Sequence, residues 1–133
     1  MRDIETREDI ELLLESFYEI AIKDELIGHH FADLDLKTHI PTFVDFWDKA
    51  LFGRPVYFGN PLAIHVKIDD KNPIKLEHFQ RWVSLFGSRV DARFAGETAE
   101  NAKLRAKMIA NSLYKRINEP DGNRVGTRIE RAE

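Results

Sequence analysis

Residues 57–65 read Tyr-Phe-Gly-Asn-Pro-Leu-Ala-Ile-His, a stretch in which a Gly-Asn turn signal is followed at once by a proline. Proline suits the first turn of a helix, because the backbone N–H that it lacks would have no partner there. The Asp-Asp-Lys-Asn-Pro run at residues 69–73 breaks the helical pattern soon afterwards. The stretch therefore predicts a short helix that begins near Pro61 and carries His65 in its interior.

Hydrophobic periodicity predicts longer helices on both sides of this short one. Apolar residues between Ile10 and Ala21 recur at the i, i+3, i+4 and i+7 spacing of an amphipathic helix. Thr6 precedes them as a candidate cap, with Asp9 as a weak capping-box acid. No alternating strand pattern or internal repeat is present, so the predicted fold class is all-α. We predict the longer helices at residues 6–23, 38–52, 74–94 and 97–117.

Length, composition and charge narrow the class of protein. A chain of 133 residues with 43% hydrophobic and 32% charged residues is ordinary for a single folded domain. We assign that domain to residues 1–118. Residues 119–133 are rich in charge, glycine and proline, and are predicted to form a mobile tail. The net charge of −3 argues against a nucleic-acid binder.

The chain has no cysteine, which excludes a disulfide, a thiolate nucleophile and a Cys-ligated metal or haem. The charged N-terminus at residues 1–5 has no apolar run behind it, so we expect no signal peptide. No apolar stretch approaches the ~18 residues needed to span a bilayer. The sequence therefore predicts a cytoplasmic protein with no membrane partner.

Isolated histidines remain as the candidate metal ligands. The sequence contains no Gly-rich nucleotide-binding motif, no GxSxG, no HExxH and no Glu-x-x-His. A haem needs only one protein ligand, since the porphyrin supplies the others. His65 could serve, with the carbonyl of Pro61 or Leu62 one turn back accepting its other ring N–H. By spacing alone, a lone histidine is more often an ordinary surface or core residue. His78 is a rival ligand, and His29 and His30 are expected to be hydrated or to sit at the edge of a haem.

Aromatic and histidine residues follow one another in a distinctive order along the chain. The blocks are Phe17-Tyr18 on the first long helix, Phe31 in the following turn, His39 ahead of Phe46-Trp47, Tyr57-x-Gly59-x-Pro61-Leu62-x-x-His65, and Phe79-x-x-Trp82-x-x-Leu85-Phe86. From about residue 8 to residue 117, this order resembles the truncated haemoglobin family, and specifically its group III branch. The chain also lacks any Gly-Gly pair, as members of that branch do.

The resemblance implies a two-on-two helical sandwich around haem b, with His65 as the proximal ligand of the iron. It implies that Tyr18, His39 and Trp82 face a bound ligand on the distal side. The bound ligand would be dioxygen, nitric oxide or peroxide. We expect the haem pocket to be lined by Phe17, Phe31, Phe43, Phe46, Trp47, Leu62, Phe79 and Ile109.

The chemistry of the distal residues fits such a ligand. A tyrosine hydroxyl and an indole N–H are donors that can stabilise partial negative charge on it. His39 could accept a proton from peroxide or open a path to the pocket. Two other functions stay open at this point. One is a haem-free helical interaction or regulatory domain. The other is a peroxidase-like or nitric oxide dioxygenase-like enzyme, which would need a separate reductase. We favour ligand binding over turnover.

Overall fold

The computed structural model describes residues 1–118, apart from the side chain of Ala63. Within that range the chain folds into helices, and no strand is formed, so the all-α prediction is confirmed. The predicted mobile tail at residues 119–133 lies outside the described residues. The helices are α1 (Arg7–Ala21), α2 (Leu36–Phe52), α3 (Pro61–Lys71), α4 (Leu76–Arg93) and α5 (Glu97–Ile117), with a 3-10 turn at Gly28–Phe31.

The first helix begins with the predicted capping box. The Thr6 hydroxyl accepts a hydrogen bond from the Asp9 backbone N–H at 3.2 Å, and the Asp9 carboxylate accepts one from the Thr6 N–H at 3.0 Å. Two otherwise unpartnered N–H groups at the helix start are thereby satisfied. Asp9 is buried and also binds the guanidinium of Arg2, which holds the pKa of its carboxyl at about 2.

The second helix starts earlier than predicted. The carbonyl of Asp35 accepts hydrogen bonds from the N–H groups of Thr38 and His39, so α2 begins at Leu36 rather than near Thr38. Pro41 therefore lies in the second turn instead of the first, where it removes the hydrogen bond that the Lys37 carbonyl would accept. The helix ends at Gly53, whose φ of 72° is a left-handed conformation that glycine adopts at no steric cost.

The fourth helix starts later than predicted. The N–H of Ile74 donates to the Asp69 carboxylate at 2.8 Å, which holds Ile74 in the connection after α3. Lys75 follows in an extended conformation and caps the helix, so α4 begins at Leu76. The fifth helix has the predicted bounds.

The long helices pack as two pairs, with α1 against α2 and α4 against α5, and α1 also packs against α4. A stripe of buried alanines on α5, at Ala99, Ala102 and Ala106, lets the backbones of the neighbouring helices approach closely. The short α3 packs on α5 through a second apolar cluster. No helix among residues 1–118 is long and apolar enough to cross a membrane.

Candidate cofactor cavity

The helices leave a cavity between them, to which all five contribute. The space free of atoms in the cavity and in the open solvent at its mouth is about 1160 Å³. Its wall is almost entirely apolar, which is typical of sites that hold a large flat cofactor. The aromatic residues on the wall are Tyr18, Phe31, Phe43, Phe46, Trp47, Tyr57, Phe79 and Trp82. The aliphatic residues there include Ile27, Leu34, Ile64, Ile68, Ile74, Ile109 and Leu113.

His65 reaches this cavity from α3. The helix starts at Pro61, as predicted, and the N–H of Ile64 donates to the carbonyl of Asn60 at 3.2 Å in its first turn. Leu62 and Val66, which lie one turn apart, are both buried in the cluster against α5. This face of α3 packs against α5. The ring of His65 lies on the neighbouring face of the helix and therefore lines the cavity.

The orientation of the His65 ring is fixed by one hydrogen bond. Its Nδ1–H donates to the Pro61 carbonyl oxygen at 2.7 Å, and this confirms the first of the two acceptors predicted. Since a carbonyl can only accept, the ring proton lies on Nδ1 and Nε2 keeps its lone pair. Burial lowers the pKa of His65, so the neutral imidazole is favoured. Nε2 has no hydrogen-bond partner in the described part of the chain.

Tyr18 and Trp82 bring two hydrogen-bond donors to the same cavity. The Tyr18 ring is held edge-on to Phe31, at 5.6 Å between ring centroids, and stacked on Phe43 at 5.4 Å. Burial raises the pKa of Tyr18, so its phenol stays protonated and can donate. The Trp82 ring stacks on Phe86 at 5.6 Å, which fixes the indole. Neither polar group makes a hydrogen bond to another group within residues 1–118.

Comparison with known proteins identifies the family. No family model matches the chain. The chain is 34% identical over 119 residues to the group 3 truncated hemoglobin ctb of Campylobacter jejuni, and the alignment covers 82% of this chain and 91% of that relative. The chain belongs to the group 3 truncated haemoglobins.

The solved structures agree with that assignment. This truncated haemoglobin is similar to the crystal structure of a group III truncated hemoglobin from Campylobacter jejuni, with a TM-score of 0.78 at 28% sequence identity. The match covers 90% of this chain and 97% of the other. Both the family resemblance and the truncated-globin fold expected from the sequence are thereby confirmed.

Most of the residues predicted to form the haem site lie on the cavity wall of this truncated haemoglobin. His65 approaches from α3, and Tyr18 and Trp82 from α1 and α4. The predicted pocket residues found on the wall are Phe31, Phe43, Phe46, Trp47, Phe79 and Ile109.

Three predicted residues are not on the wall. His39 is exposed on α2, with its ring stacked on that of Phe43 at 6.2 Å between centroids, and Phe43 itself takes the wall position. Phe17 is 1% exposed, but it lies behind Tyr18 in the main core. Leu62 faces α5 instead of the cavity, because it shares the buried face of α3 with Val66. The expected wall positions of these residues are therefore corrected.

Two further histidines, His30 and His78, also lie on the wall. His30, expected to be hydrated, is half-buried. His78, the rival ligand, is buried, and its Nδ1 accepts a hydrogen bond from the Lys75 N–H at 2.8 Å. The proton of a neutral His78 ring is therefore on Nε2, which leaves no lone pair for a metal. The same argument that favours His65 as a ligand thus disfavours His78.

Aliphatic wall residues were also missed. Ile64, Ile68 and Leu113 lie on helices that the sequence predicted, but the prediction of a helix does not say which of its apolar residues face a cavity. Tyr57 was part of the family motif without an assigned role. Its phenol oxygen lies against Gly59, where an added Cβ would approach it to 2.5 Å. A glycine at residue 59 therefore lets the Tyr57 ring fold across the turn that leads into α3.

Proposed function

We propose that this truncated haemoglobin binds haem b in the cavity through Nε2 of His65, and that it holds a small ligand beside Tyr18 and Trp82. The observation that carries the proposal is the hydrogen bond from Nδ1–H of His65 to the Pro61 carbonyl, because it leaves the Nε2 lone pair for a metal. The sequence relative and the crystal structure from Campylobacter jejuni are each described as a truncated hemoglobin of group III, which supports the choice of cofactor.

The residues of the cavity suit an iron porphyrin. Flat aromatic and branched aliphatic side chains form most of the wall, so a large hydrophobic ring system would be well buried. A neutral imidazole is the proximal ligand that iron takes in globins. Because the sequence has no cysteine, a thioether attachment or a thiolate ligand is impossible, and non-covalent haem b is the form that fits.

A haem held by His65 would supply an iron that can take a small ligand. The protein's part is to stabilise charge on that ligand. Tyr18 keeps its proton because burial raises its pKa, and its hydroxyl can donate a hydrogen bond. The indole N–H of Trp82 is the second donor. In an apolar cavity such bonds are stronger than in water, so they favour ligands that gain negative charge.

Dioxygen fits this arrangement better than peroxide does. Two donors and an apolar wall stabilise dioxygen that has gained electron density. Peroxide chemistry also requires a group that accepts a proton next to the ligand, and His39, predicted for that role, is exposed on α2 and off the wall. Turnover of nitric oxide or peroxide would further need electrons from a separate reductase, because the sequence has no flavin or nicotinamide motif. We therefore propose reversible binding of dioxygen, with His39 acting at most as a gate.

The test begins with the absorbance spectrum of the purified protein, which should contain a Soret band at about one haem per chain. His65→Ala should abolish stoichiometric haem and change the spectrum of whatever haem remains. His29→Ala is the matched control, since His29 is exposed and does not line the cavity. A native Soret band with full haem content in His65→Ala would refute the proposed ligand.

A further inference from the structure

Three histidine rings meet at one edge of the cavity, where the 3-10 turn Gly28–Phe31 meets the start of α4. The ring centroids of His29 and His30 are 4.0 Å apart, and those of His30 and His78 are 4.8 Å apart. His30 and His78 line the cavity, whereas His29 is exposed. The proposed binding of haem iron does not use this cluster.

His78 is a buried residue whose Nε2–H has no hydrogen-bond partner in residues 1–118. The residue is only 9% exposed, and its Nδ1 accepts the Lys75 N–H at 2.8 Å, so a neutral ring has its proton on Nε2. Within residues 1–118, Nε2–H has no hydrogen-bond partner. No fully buried polar atom lacks a partner in that part of the chain, so Nε2 keeps accessible surface. A donor so placed needs an acceptor that comes from outside the chain.

The surroundings of His78 favour an acceptor with negative charge. The ring lies in the first turn of α4, where the helix dipole is positive. The charged or titratable groups that act on it are Lys75, His29 and His30, with Glu77 as the acidic one. His30 is oriented by a contact of 3.3 Å between its Nε2 and the Pro73 carbonyl. Among residues 1–118, no group of histidine and acidic side chains is arranged to hold a metal ion, so a cation is not the fitting ligand.

We infer that Nε2–H of His78, in the first turn of α4, binds a carboxylate of the porphyrin and so fixes how the cofactor is turned in the cavity. This inference rests on the proposed function. A propionate that enters an apolar cavity must find hydrogen-bond donors, or its burial is costly. Nε2–H of His78 is such a donor on the wall, and His65 binds the iron, so the two contacts hold different parts of one molecule.

The variant that isolates this donor is His78→Asn. The amide oxygen of asparagine can take the position of Nδ1 and still accept the Lys75 N–H, whereas nothing replaces Nε2–H. Equilibrium affinity is measured for iron protoporphyrin IX and for its dimethyl ester, which lacks the carboxylates. His78→Asn should weaken binding of the free acid by about tenfold or more, as expected for a lost hydrogen bond to a charged group, and leave binding of the ester unchanged. His29→Asn is the control and should change neither affinity.

Each other outcome has a defined meaning. Equal losses for the acid and the ester would mean that His78 acts only through packing or folding, and would overturn the inference. Unchanged affinity for both porphyrins in His78→Asn would overturn it as well. If the wild-type protein bound neither porphyrin, the proposed function itself would fail, and that result is separate from the comparison between acid and ester.

Discussion

Nδ1 of His65 lies 2.7 Å from the carbonyl oxygen of Pro61, one helical turn earlier in the same short helix. The same proline starts that helix, so one residue both positions α3 and orients the ring that α3 presents to the cavity. The hydrogen bond also makes Nε2 a better electron donor, because it polarises the Nδ1–H bond. Folding therefore sets the tautomer of the proposed ligand before any metal arrives.

The first prediction concerns the imidazole ring that α3 presents to the cavity. His65→Gly should contain less than one haem per chain. The substitution removes the imidazole that α3 directs at the proposed position of the iron. Adding free imidazole should restore the spectrum of a five- or six-coordinate haem. Imidazole can occupy the space that the His65 side chain leaves and bind the iron in its place. Optical titration measures the recovery. Leu62→Ala is the control, because Leu62 lies on the α5 side of the same helix and has no part in metal binding.

The second prediction is a loss of stability in mild acid. Burial lowers the pKa of His65, of His30 and of His78 below the ordinary histidine value of 6.5. The unfolded chain then binds protons more readily than the folded chain, so stability is full above about pH 6.5 and falls as the pH drops below it. We expect the unfolding free energy of the haem-free protein to decrease between about pH 7.5 and pH 5.5.

The source of this pH dependence is checked by substitution. His65→Leu should flatten the fall in unfolding free energy measured by urea titration, because one group that must charge on unfolding is removed. His39→Asn, at an exposed position, should leave the slope as it is in the wild type. A slope that stays the same in His65→Leu would show that His65 does not contribute to it.

The sequence predicted the short helix of His65 and the hydrogen bond of its ring, because the evidence for both is local. A turn, a proline and a histidine four residues later define a helix and the carbonyl that the ring can reach, without any knowledge of the rest of the chain. The same holds for the capping box of Thr6 and Asp9, whose members are three residues apart. The distal roles of Tyr18 and Trp82 were predicted from the family resemblance. Nothing in the local sequence distinguishes a tyrosine that lines a cavity from one in the core.

Other positions differ from the prediction because they depend on packing between segments that are distant in the sequence. Phe17 and Tyr18 are neighbours on one helix, and only the packing of α4 decides that Phe17 contacts Trp82 and Phe86 in the core. His39 was expected at the ligand, but Phe43 fills the wall one turn later on α2. The cluster of His30 and His78 joins segments 48 positions apart in the sequence, which no spacing rule could bring together.

A third prediction concerns the link between the N-terminus and α5. The Asp3 carboxylate accepts hydrogen bonds from the N–H groups of Thr98 at 2.9 Å and Ala99 at 2.8 Å, so it caps a helix far along the chain. Asp3→Ala should lower the unfolding free energy by about 1 kcal/mol, as for other lost N-caps. Gly96→Ala should cost about 1–3 kcal/mol, because its φ is 143° and an added Cβ would meet the Asp3 side chain.

Chemical denaturation measures both effects, and Glu97→Gln is the control. Glu97 lies in the same first turn of α5 and is exposed, so its loss should cost only a few tenths of a kcal/mol through the helix dipole. These hydrogen bonds also lower the pKa of Asp3. The stabilisation by Asp3 is therefore present at neutral pH and lost in strong acid, as the pH falls through its folded-state pKa. An Asp3→Ala variant as stable as the wild type would contradict the capping role.

The last prediction separates the two tyrosines of the cavity. Tyr18 and Tyr57 both line the wall, and burial raises the pKa of each. Only Tyr18 contacts Phe31, edge-on, and Phe43, on which it stacks, on the proposed ligand side. Tyr57 instead packs edge-on against Phe46, at 5.3 Å between centroids, above the turn that leads into α3. A phenol on the ligand side should slow ligand escape, whereas one above this turn should not.

Tyr18→Phe should therefore raise the dissociation rate of dioxygen by about tenfold, the effect of losing one hydrogen bond to a group with partial charge, and leave carbon monoxide, which gains little negative charge, much less affected. Tyr57→Phe removes the same atom from a ring that packs on Phe46 rather than on Phe31 and Phe43, and should change neither rate. Stopped-flow displacement measures both gases on both variants. Equal rates in Tyr18→Phe and the wild type would remove Tyr18 from the proposed site. Equal increases for dioxygen and carbon monoxide would mean that the ring acts by sterics, since a hydrogen bond discriminates between the two gases and a change in cavity shape does not.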